Sequence, residues 1–207
     1  ASVGNNADIH ASTSLDILSN VQSNVALGSV TVAISGSQDQ GASAGAIVSV
    51  TTNASASEAT VGDNADITGN SGTITISAIN EEQVISVLAA AARSGNGGAG
   101  AGTVSVLTTD AKTMAAVGVN AKLTANNDIV INAVSQAKLI DVMLAAAAST
   151  DAPAVGATIM VNVFNRDTKA SIGNNAVVIS KLGNVLVQAD SDESAIIISV
   201  AGAAASE

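Results

Sequence analysis

A ten-residue segment recurs four times along this chain, and its spacing is the feature that most constrains the fold. The copies are ASVGNNADIH, ATVGDNADIT, AAVGVNAKLT and ASIGNNAVVI, and they begin at Ala1, Ala59, Ala115 and Ala170. The starts are 58, 56 and 55 residues apart, so the chain divides into repeats 1–58, 59–114, 115–169 and a truncated 170–207. Repetition at a fixed period is typical of a solenoid, in which each repeat packs only on its neighbours. We therefore treat the chain as one domain.

Each repeat contains stretches in which apolar and polar residues alternate, which is the period expected for β-strands. Examples are ITI at Ile74, IVI at Ile129 and TVSV at Thr103, and an Ala-rich run such as VISVLAAAA at Val84 lies between the first and second stretch. Ala has a high helix propensity, so the Ala-rich runs could be helical. They lack helix caps and are flanked by Val, Ile and Gly, however, and we predict strands.

A half-period also appears inside the second repeat. GTITIS at Gly72 aligns with GTVSVL at Gly102, which places Ile74 over Val104. We therefore predict coils of about 28 residues, each with three short strands and three corners that complete one turn of a parallel β-helix. About seven such coils, stacked at the strand spacing of ~4.8 Å, would form a rod of roughly 35 Å.

The interior of this stack must be built from small aliphatic side chains. The chain has no Trp, no Tyr, no Cys and a single Phe, although 47% of its residues are hydrophobic. A compact globule normally fills its centre with larger aromatic side chains, so the composition favours a narrow solenoid. Similar side chains of successive coils should stack on each other in two inward ladders. One contains Val3, Val61, Val117 and Ile172, and the other contains Ile9, Ile67, Leu123 and Val178.

Glycine and asparagine recur in two further columns. These columns are Gly4, Gly62, Gly118 and Gly173, and Asn6, Asn64, Asn120 and Asn175. Gly can supply a positive φ at a corner, and a buried Asn side chain can bond to the backbone of the turn or to the Asn one repeat away. We interpret both columns as a structural turn ladder; a ligand-binding stripe of Asn is the alternative.

Acidic residues are the remaining candidates for chemistry. One cluster is Glu81 with Glu82, and another is Asp190, Asp192 and Glu193. Both follow the first alternating strand of their repeat, so we interpret them as solvated corners that keep strands from associating. The oxygens of the second cluster could also bind Ca²⁺, which makes Asp190, Asp192 and Glu193 a candidate metal site.

Other classes of function find little support in the composition. The net charge is −10 and the seven basic residues are scattered, so nucleic acid is not an expected partner. His10 is the only histidine, and neither a catalytic triad nor a cofactor motif is present, so we predict no catalytic residue and no cofactor. The apolar run Val84–Ala92 is far shorter than the ~20 residues that span a bilayer, so membrane insertion is not expected.

The order of the motifs resembles a known family. Each repeat begins with A-x-[VI]-G-x-N-A-x-[ILV] and continues with V-x-V or I-x-I, an Ala-rich run and G-A-x-x-x-V-x-V. This order resembles the long repeats of filamentous haemagglutinin-like and leukotoxin-like bacterial adhesins, which are exported by two-partner or autotransporter routes. The resemblance covers the whole chain. It implies a right-handed parallel β-helix, all-β, on the cell surface or secreted. The copies are longer than the coils of filamentous haemagglutinin itself.

For function, the resemblance implies a stalk or passenger segment that supports or mediates attachment to host cells through a receptor or glycan. Those repeats have no catalytic residues to carry over. Because the chain starts with Ala and stops within the repeat pattern, we expect the same β-helix to continue at both ends in a longer parent protein. A polysaccharide lyase or hydrolase on the same fold is the rival hypothesis, and it would need paired carboxylates and the aromatic sugar platforms that this chain lacks.

Overall fold

The computed structural model describes residues 1–35 and 41–206; residues 36–40, in the first repeat, and Glu207, at the end of the fourth, lie outside the described residues. The described ranges contain twelve β-strands. In chain order they are β1 (Ser2–Val3), β2 (Asp8–Ala11), β3 (Leu15–Ser35), β4 (Ser43–Val61), β5 (Asp66–Gly69), β6 (Ile74–Ser94), β7 (Ala99–Val117), β8 (Lys122–Ala125), β9 (Ile129–Ser149), β10 (Ala154–Ile172), β11 (Val177–Ser180) and β12 (Val185–Ala205).

The strands form three parallel sheets, and the chain visits them in turn. Sheet A has the strand order β1–β4–β7–β10, the short sheet B has β2–β5–β8–β11, and sheet C has β3–β6–β9–β12. A chain that winds repeatedly through the same three parallel sheets is a parallel β-helix, which confirms the predicted all-β solenoid. The Ala-rich runs lie within β6, β9 and β12, so the prediction of strands there is confirmed too.

One coil corresponds to a whole repeat and not to half of one. Ile74 pairs with Leu15 in the preceding coil and with Ile129 in the next. Ile74 belongs to sheet C and Val104 to sheet A, so the two do not stack. The prediction of about seven coils of about 28 residues is therefore wrong, since each sheet has four strands. The apparent half-period arises because β6 and β7, with similar alternation, belong to the two long sheets of one coil.

The longer coil changes the proportions of the stack. Four strands at ~4.8 Å give a height of about 20 Å, whereas a strand of 21 residues at ~3.3 Å per residue runs up to about 70 Å. The segment is therefore wider than it is tall, and the expected rod of roughly 35 Å is also wrong.

The two acidic segments are not corners. Glu81 and Glu82 lie in the middle of β6, and the segment Asp190–Glu193 lies within β12. The strand continues through these polar residues because the inward and outward alternation is unbroken: Asn80 and Glu82 are buried like Val84, while Glu81 is only half-buried.

Both inward ladders are confirmed by the strand register. Val61 pairs with Val3 and Val117, and Val117 with Ile172. Ile67 pairs with Ile9 and Leu123, and Leu123 with Val178. Ile67 and Leu123, in the middle coils, have no exposed surface. Burying an aliphatic side chain of this size contributes roughly 1.5–3 kcal/mol, so each inner coil is stabilised by the coils on either side of it.

The interior is banded along the long strands. The inward side chains of β6 are, in order, Ile74, Ile76, Ala78, Asn80, Glu82, Val84, Ser86, Leu88, Ala90, Ala92 and Ser94, and all are buried. Apolar clusters therefore alternate with polar positions at Asn80, Glu82 and Ser86. These polar bands between sheets A and C contain buried charged groups.

Candidate functional site

The asparagine column forms the turn between sheets A and B. Asn6, Asn64, Asn120 and Asn175 have φ angles of 57°, 56°, 55° and 57°, which is the left-handed region. Asn tolerates this region because its short side chain can hydrogen-bond locally. The side chain of Asn120 donates from Nδ2 to Oδ1 of Asn64 at 3.3 Å. The geometry fits a structural ladder.

The glycine column serves a different purpose from the predicted one. No glycine in the described ranges has a positive φ. Instead, the coils approach so closely at this column that a side chain would not fit: a Cβ on Gly118 would lie 2.6 Å from the carbonyl carbon of Gly62. Gly4 begins the column, and a Cβ there would meet nothing within 4 Å among the described residues. Glycine is required at this column because the backbones of adjacent coils approach closely, and not because it adopts a left-handed conformation.

Turn side chains also bond directly from coil to coil. Oδ1 of Asn5 accepts from the backbone N–H of Asp63 at 2.9 Å, and Oδ1 of Asp63 accepts from the N–H of Val119 at 2.7 Å. The same device recurs at the other end of sheet B, where Oδ1 of Asp128 accepts from the N–H of Asn184 at 2.7 Å. These polar groups are occupied in holding adjacent turns together.

A buried ion pair lies in the first polar band. Nη2 of Arg166, on β10, donates to Oε2 of Glu82, on β6, at 2.7 Å, and the two side chains are 7% and 1% exposed. Burying two charges is costly, and the loss is recovered only where further hydrogen bonds complete the pair.

Neighbouring side chains supply such bonds. Oε1 of Glu82 accepts from Oγ of Ser55 at 2.6 Å and from Nδ2 of Asn53 at 3.1 Å, while Nη1 of Arg166 donates to Oγ of Ser135 at 2.8 Å. Each oxygen of the Glu82 carboxylate therefore has a partner. The Arg166 guanidinium also lies near the fourth coil, since its Nε is 3.9 Å from Oε2 of Glu193.

A second buried carboxylate has no such partners. Asp141, on β9, has no exposed surface, and neither of its oxygens makes a hydrogen bond with the described residues. Burial raises the pKa of Asp141. The side chains of Ser86, Asn162 and Ser105 lie close enough to oppose this rise in part. None of them has the geometry of a hydrogen bond to the carboxylate. Because both oxygens lack a hydrogen-bond partner, desolvation outweighs these contacts.

The candidate Ca²⁺ residues point to two different faces of β12. Glu193 continues the inward column of Glu82 and Ala137, whereas Asp192 continues the outward column of Glu81 and Gln136. Asp190 lies two residues from Asp192, on the same outward face. Among the described residues, no group of three or more His, Cys, Asp or Glu could hold a metal ion. His10 is exposed, with Nε2 3.0 Å from Oδ1 of Asp8.

An open groove crosses the outer face of sheet C. Its volume is about 430 Å³. It is lined by polar side chains from all four coils, among them Gln22, Glu81, Gln83, Gln136, Lys138 and Asp192. Nε2 of Gln22 donates to Oε2 of Glu81 at 2.7 Å. The groove offers amide, ammonium and carboxylate groups to a ligand, without an aromatic surface.

Sequence reasoning missed the interior charges, although part of the signal is present. Glu82 is an even number of residues from Ile74, Ile76 and Val84, so strict alternation along one strand would have placed it inward. Its partner Arg166 is 84 residues away, and nothing local to either residue marks the pairing. Asp141 likewise has the inward parity of Leu139 and Met143.

Comparison of the chain with protein-family models, with curated proteins and with solved structures finds no match. The described part of the chain also contains no helix with the length and hydropathy that a membrane span requires.

The glycine column gives a matched pair of substitutions. We expect Gly118→Ala to lower the free energy of unfolding by about 1–3 kcal/mol, because its methyl group would overpack the backbone of the preceding turn. Gly4→Ala, in the same column of the outermost coil, should leave it nearly unchanged. Urea unfolding followed by circular dichroism measures both, and equal effects would show that close packing is not the reason for glycine.

Removing one member of the buried ion pair should be severe. We expect Arg166→Met to cost about 3–5 kcal/mol, because Glu82 would remain charged in the interior without its cation. The double variant Glu82→Gln with Arg166→Met should recover most of that loss. Unfolding free energies of the two single variants and the double variant provide the coupling; strictly additive effects would contradict a direct interaction.

Asp141 predicts a pH dependence with a defined sign. Because its pKa is raised above the ordinary value of 3.8, the folded chain holds this proton to higher pH than the unfolded chain does, and stability is lost as pH rises above that value. Asp141→Asn should therefore stabilise the protein by about 1–3 kcal/mol at neutral pH, and the gain should shrink towards acid pH. Melting temperatures across this range test it, with Asp192→Asn on the outer face as control; a pH-independent difference would contradict it.

Proposed function

We propose that this chain is a structural stalk or passenger segment of a bacterial cell-surface or secreted adhesin, where it supports or mediates attachment to host cells. The observation that carries the proposal is the use of its polar groups. The recurring Asn, Asp and Gly residues hold one turn against the next, and the Glu82 and Arg166 charges pair inside the stack. A chain whose repeated polar residues are occupied by coil-to-coil contacts is suited to a scaffold role.

We also propose that the parent protein continues the right-handed β-helix beyond both ends of this segment. The edge strands support this proposal. Inward side chains of β12 are uncovered, with Val185 and Val187 44% and 42% exposed, whereas their partners Ile129 and Ile131 on β9 are fully buried. A further coil would bury the last ladder as the fourth coil buries the third.

A host glycan is the partner that the outer groove of sheet C would suit. Its amide, ammonium and carboxylate groups can hydrogen-bond to sugar hydroxyls, and its open form would admit an extended chain. Binding through this groove would be weak, since it has no aromatic surface on which a sugar ring can stack.

One observation keeps the enzyme alternative testable. Glu81 and Asp192 lie in the same outward column, separated by Gln136, so their strands are about 9–10 Å apart. Carboxyl groups at roughly 6.5–9.5 Å act as acid and base in inverting glycoside hydrolases. We nevertheless favour the scaffold, because Glu81 is engaged by Gln22 and the groove has no aromatic surface on which a sugar ring could stack.

The proposal predicts surface exposure without turnover. Antibodies raised against the purified chain should label intact bacterial cells that carry the gene, and incubation of the chain with a glycan panel should release no product. Labelling that requires permeabilised cells would contradict the surface location. Glycan cleavage that is abolished by Glu81→Gln but retained in Asp190→Asn would establish the enzyme instead.

A further inference from the structure

The outer face of sheet A carries aliphatic side chains at positions where its inner face carries polar ones. On β7, Thr103 and Ser105 are buried, and Val104 and Val106 lie on the opposite, outer side. A sheet with one face in water ordinarily turns its apolar residues towards the core and its polar residues outward. The reversed pattern is expected where the outer face is covered as well.

These outward side chains form continuous columns. Val104 pairs with Val48 and Ile159, and Val106 pairs with Val50 and Val161. We call these six residues face A. Val104 and Val106, on the covered strand β7, are half-buried, and Val48 and Val50, at the edge of the sheet, are each 71% exposed, so the chain itself does not bury this face completely.

Sheet C has a corresponding aliphatic region on its outer side, beyond the polar groove. Ile140 pairs with Ile85 and Ile196, and Val142 pairs with Val87 and Ile198. We call these six residues face C. Val87, on the covered strand β6, is 43% exposed. The segment thus has an aliphatic face on both of its long sheets.

Charge is excluded from both faces. The segments 44–52, 100–108 and 155–163, which contain face A, have no ionisable residue. The segments 84–92, 139–147 and 195–203, which contain face C, have only Asp141, and its side chain is buried inside the stack. The chain has a net charge of −10, but its exposed charges lie outside both faces. Two copies could therefore pack through these faces with little charge repulsion.

We propose that faces A and C are packing surfaces for second copies of this chain, which associate side by side, face A against face A and face C against face C. The columns of every copy repeat at the strand spacing of ~4.8 Å, so the ridges of one copy match the grooves of another at any coil. Sheets stacked in this way lie ~10 Å apart with interdigitated side chains. A partner without this repeat would lack that match.

The available area indicates how strongly each face can bind. Nine-residue segments on three strands cover about 430 Å² on face A and about the same on face C. A stable interface buries about 800 Å² from each partner, so the contact through either face is weak and association is expected at high concentration. Because the two faces lie on different long sheets, each copy can contact two neighbours, which gives layers and not a closed dimer.

Sedimentation velocity from micromolar to millimolar concentration tests the proposal. The average mass of the wild-type chain should rise with concentration and should persist in high salt, because the contact is apolar. The double variant Val106→Lys with Val142→Lys, one change on each face, should sediment as a monomer. A matched control, Thr75→Lys on an outward position outside both faces, should associate like the wild type.

Three outcomes would overturn the proposal. The first is a wild-type chain that stays monomeric throughout. The second is undiminished association of the double variant, which would assign association to the open strand edges at the ends of the stack. The third is binding of the monomeric wild-type chain to phosphatidylcholine vesicles through the same valines, which would make the faces lipid contacts.

Cross-linking gives a readout that does not depend on whether the lysine variants fold. Because the chain contains no cysteine, a single Val142→Cys substitution can form a disulfide only between copies. Side-by-side packing predicts rapid oxidation of Val142→Cys to a covalent dimer and slow oxidation of Thr75→Cys. Equal rates for the two variants would also overturn the proposal.

Discussion

The structure depends on one constraint, which is that each residue lies on its counterpart one repeat away. Backbone hydrogen bonds join each inner coil to the coil on either side in all three sheets, and side chains such as Ile67 and Leu123 are buried only because the adjacent coil covers them. A coil has no core of its own. The repeated sequence follows from this, since a different side chain at one position would disturb the coils above and below as well as its own.

Strict repetition also creates a difficulty, because coils that resemble each other can pair out of step. The buried charges lessen this ambiguity. Glu82 occupies a column whose other members are Ser23, Ala137 and Glu193, and Arg166 occupies one with Ser55 and Ala111. A slip of one coil between sheets A and C would separate Glu82 from Arg166 and leave the buried Glu82 carboxylate without its cation. A buried pair contributes little net stability, but it penalises the wrong register strongly.

The sequence predicted the repeat, the strands and the inward ladders, because these depend on interactions between residues at one fixed spacing. Coil length could not be read in the same way. The two long strands of a coil carry similar alternation, and a pattern of this kind does not distinguish strands that stack from strands that face each other across the interior. The corner that Glu81 and Glu82 suggested was wrong for a related reason: polar residues usually end a strand, yet here the interior holds a cation for Glu82.

The role of glycine shows a further limit of sequence reasoning. A recurring Gly-x-Asn correctly indicated a turn, but the sequence alone does not say which residue takes the left-handed conformation. Asn takes it here, and Gly is required by the backbone of the adjacent coil. That requirement exists only after the coils are stacked, so it is a property of the assembly and not of the local segment.

The coil length bears on what such a solenoid can be built for. A repeat of about 56 residues adds only ~4.8 Å of height, which an α-helix would cover with about three residues. A stalk of this kind therefore gains little height for each residue that it uses. The same residues instead create two broad faces, each widened by long strands, with charge removed from part of both. Wide sheets are useful where a protein makes lateral contacts. The length of the coil therefore favours a segment that makes contacts through its two broad faces as well as extending the stack.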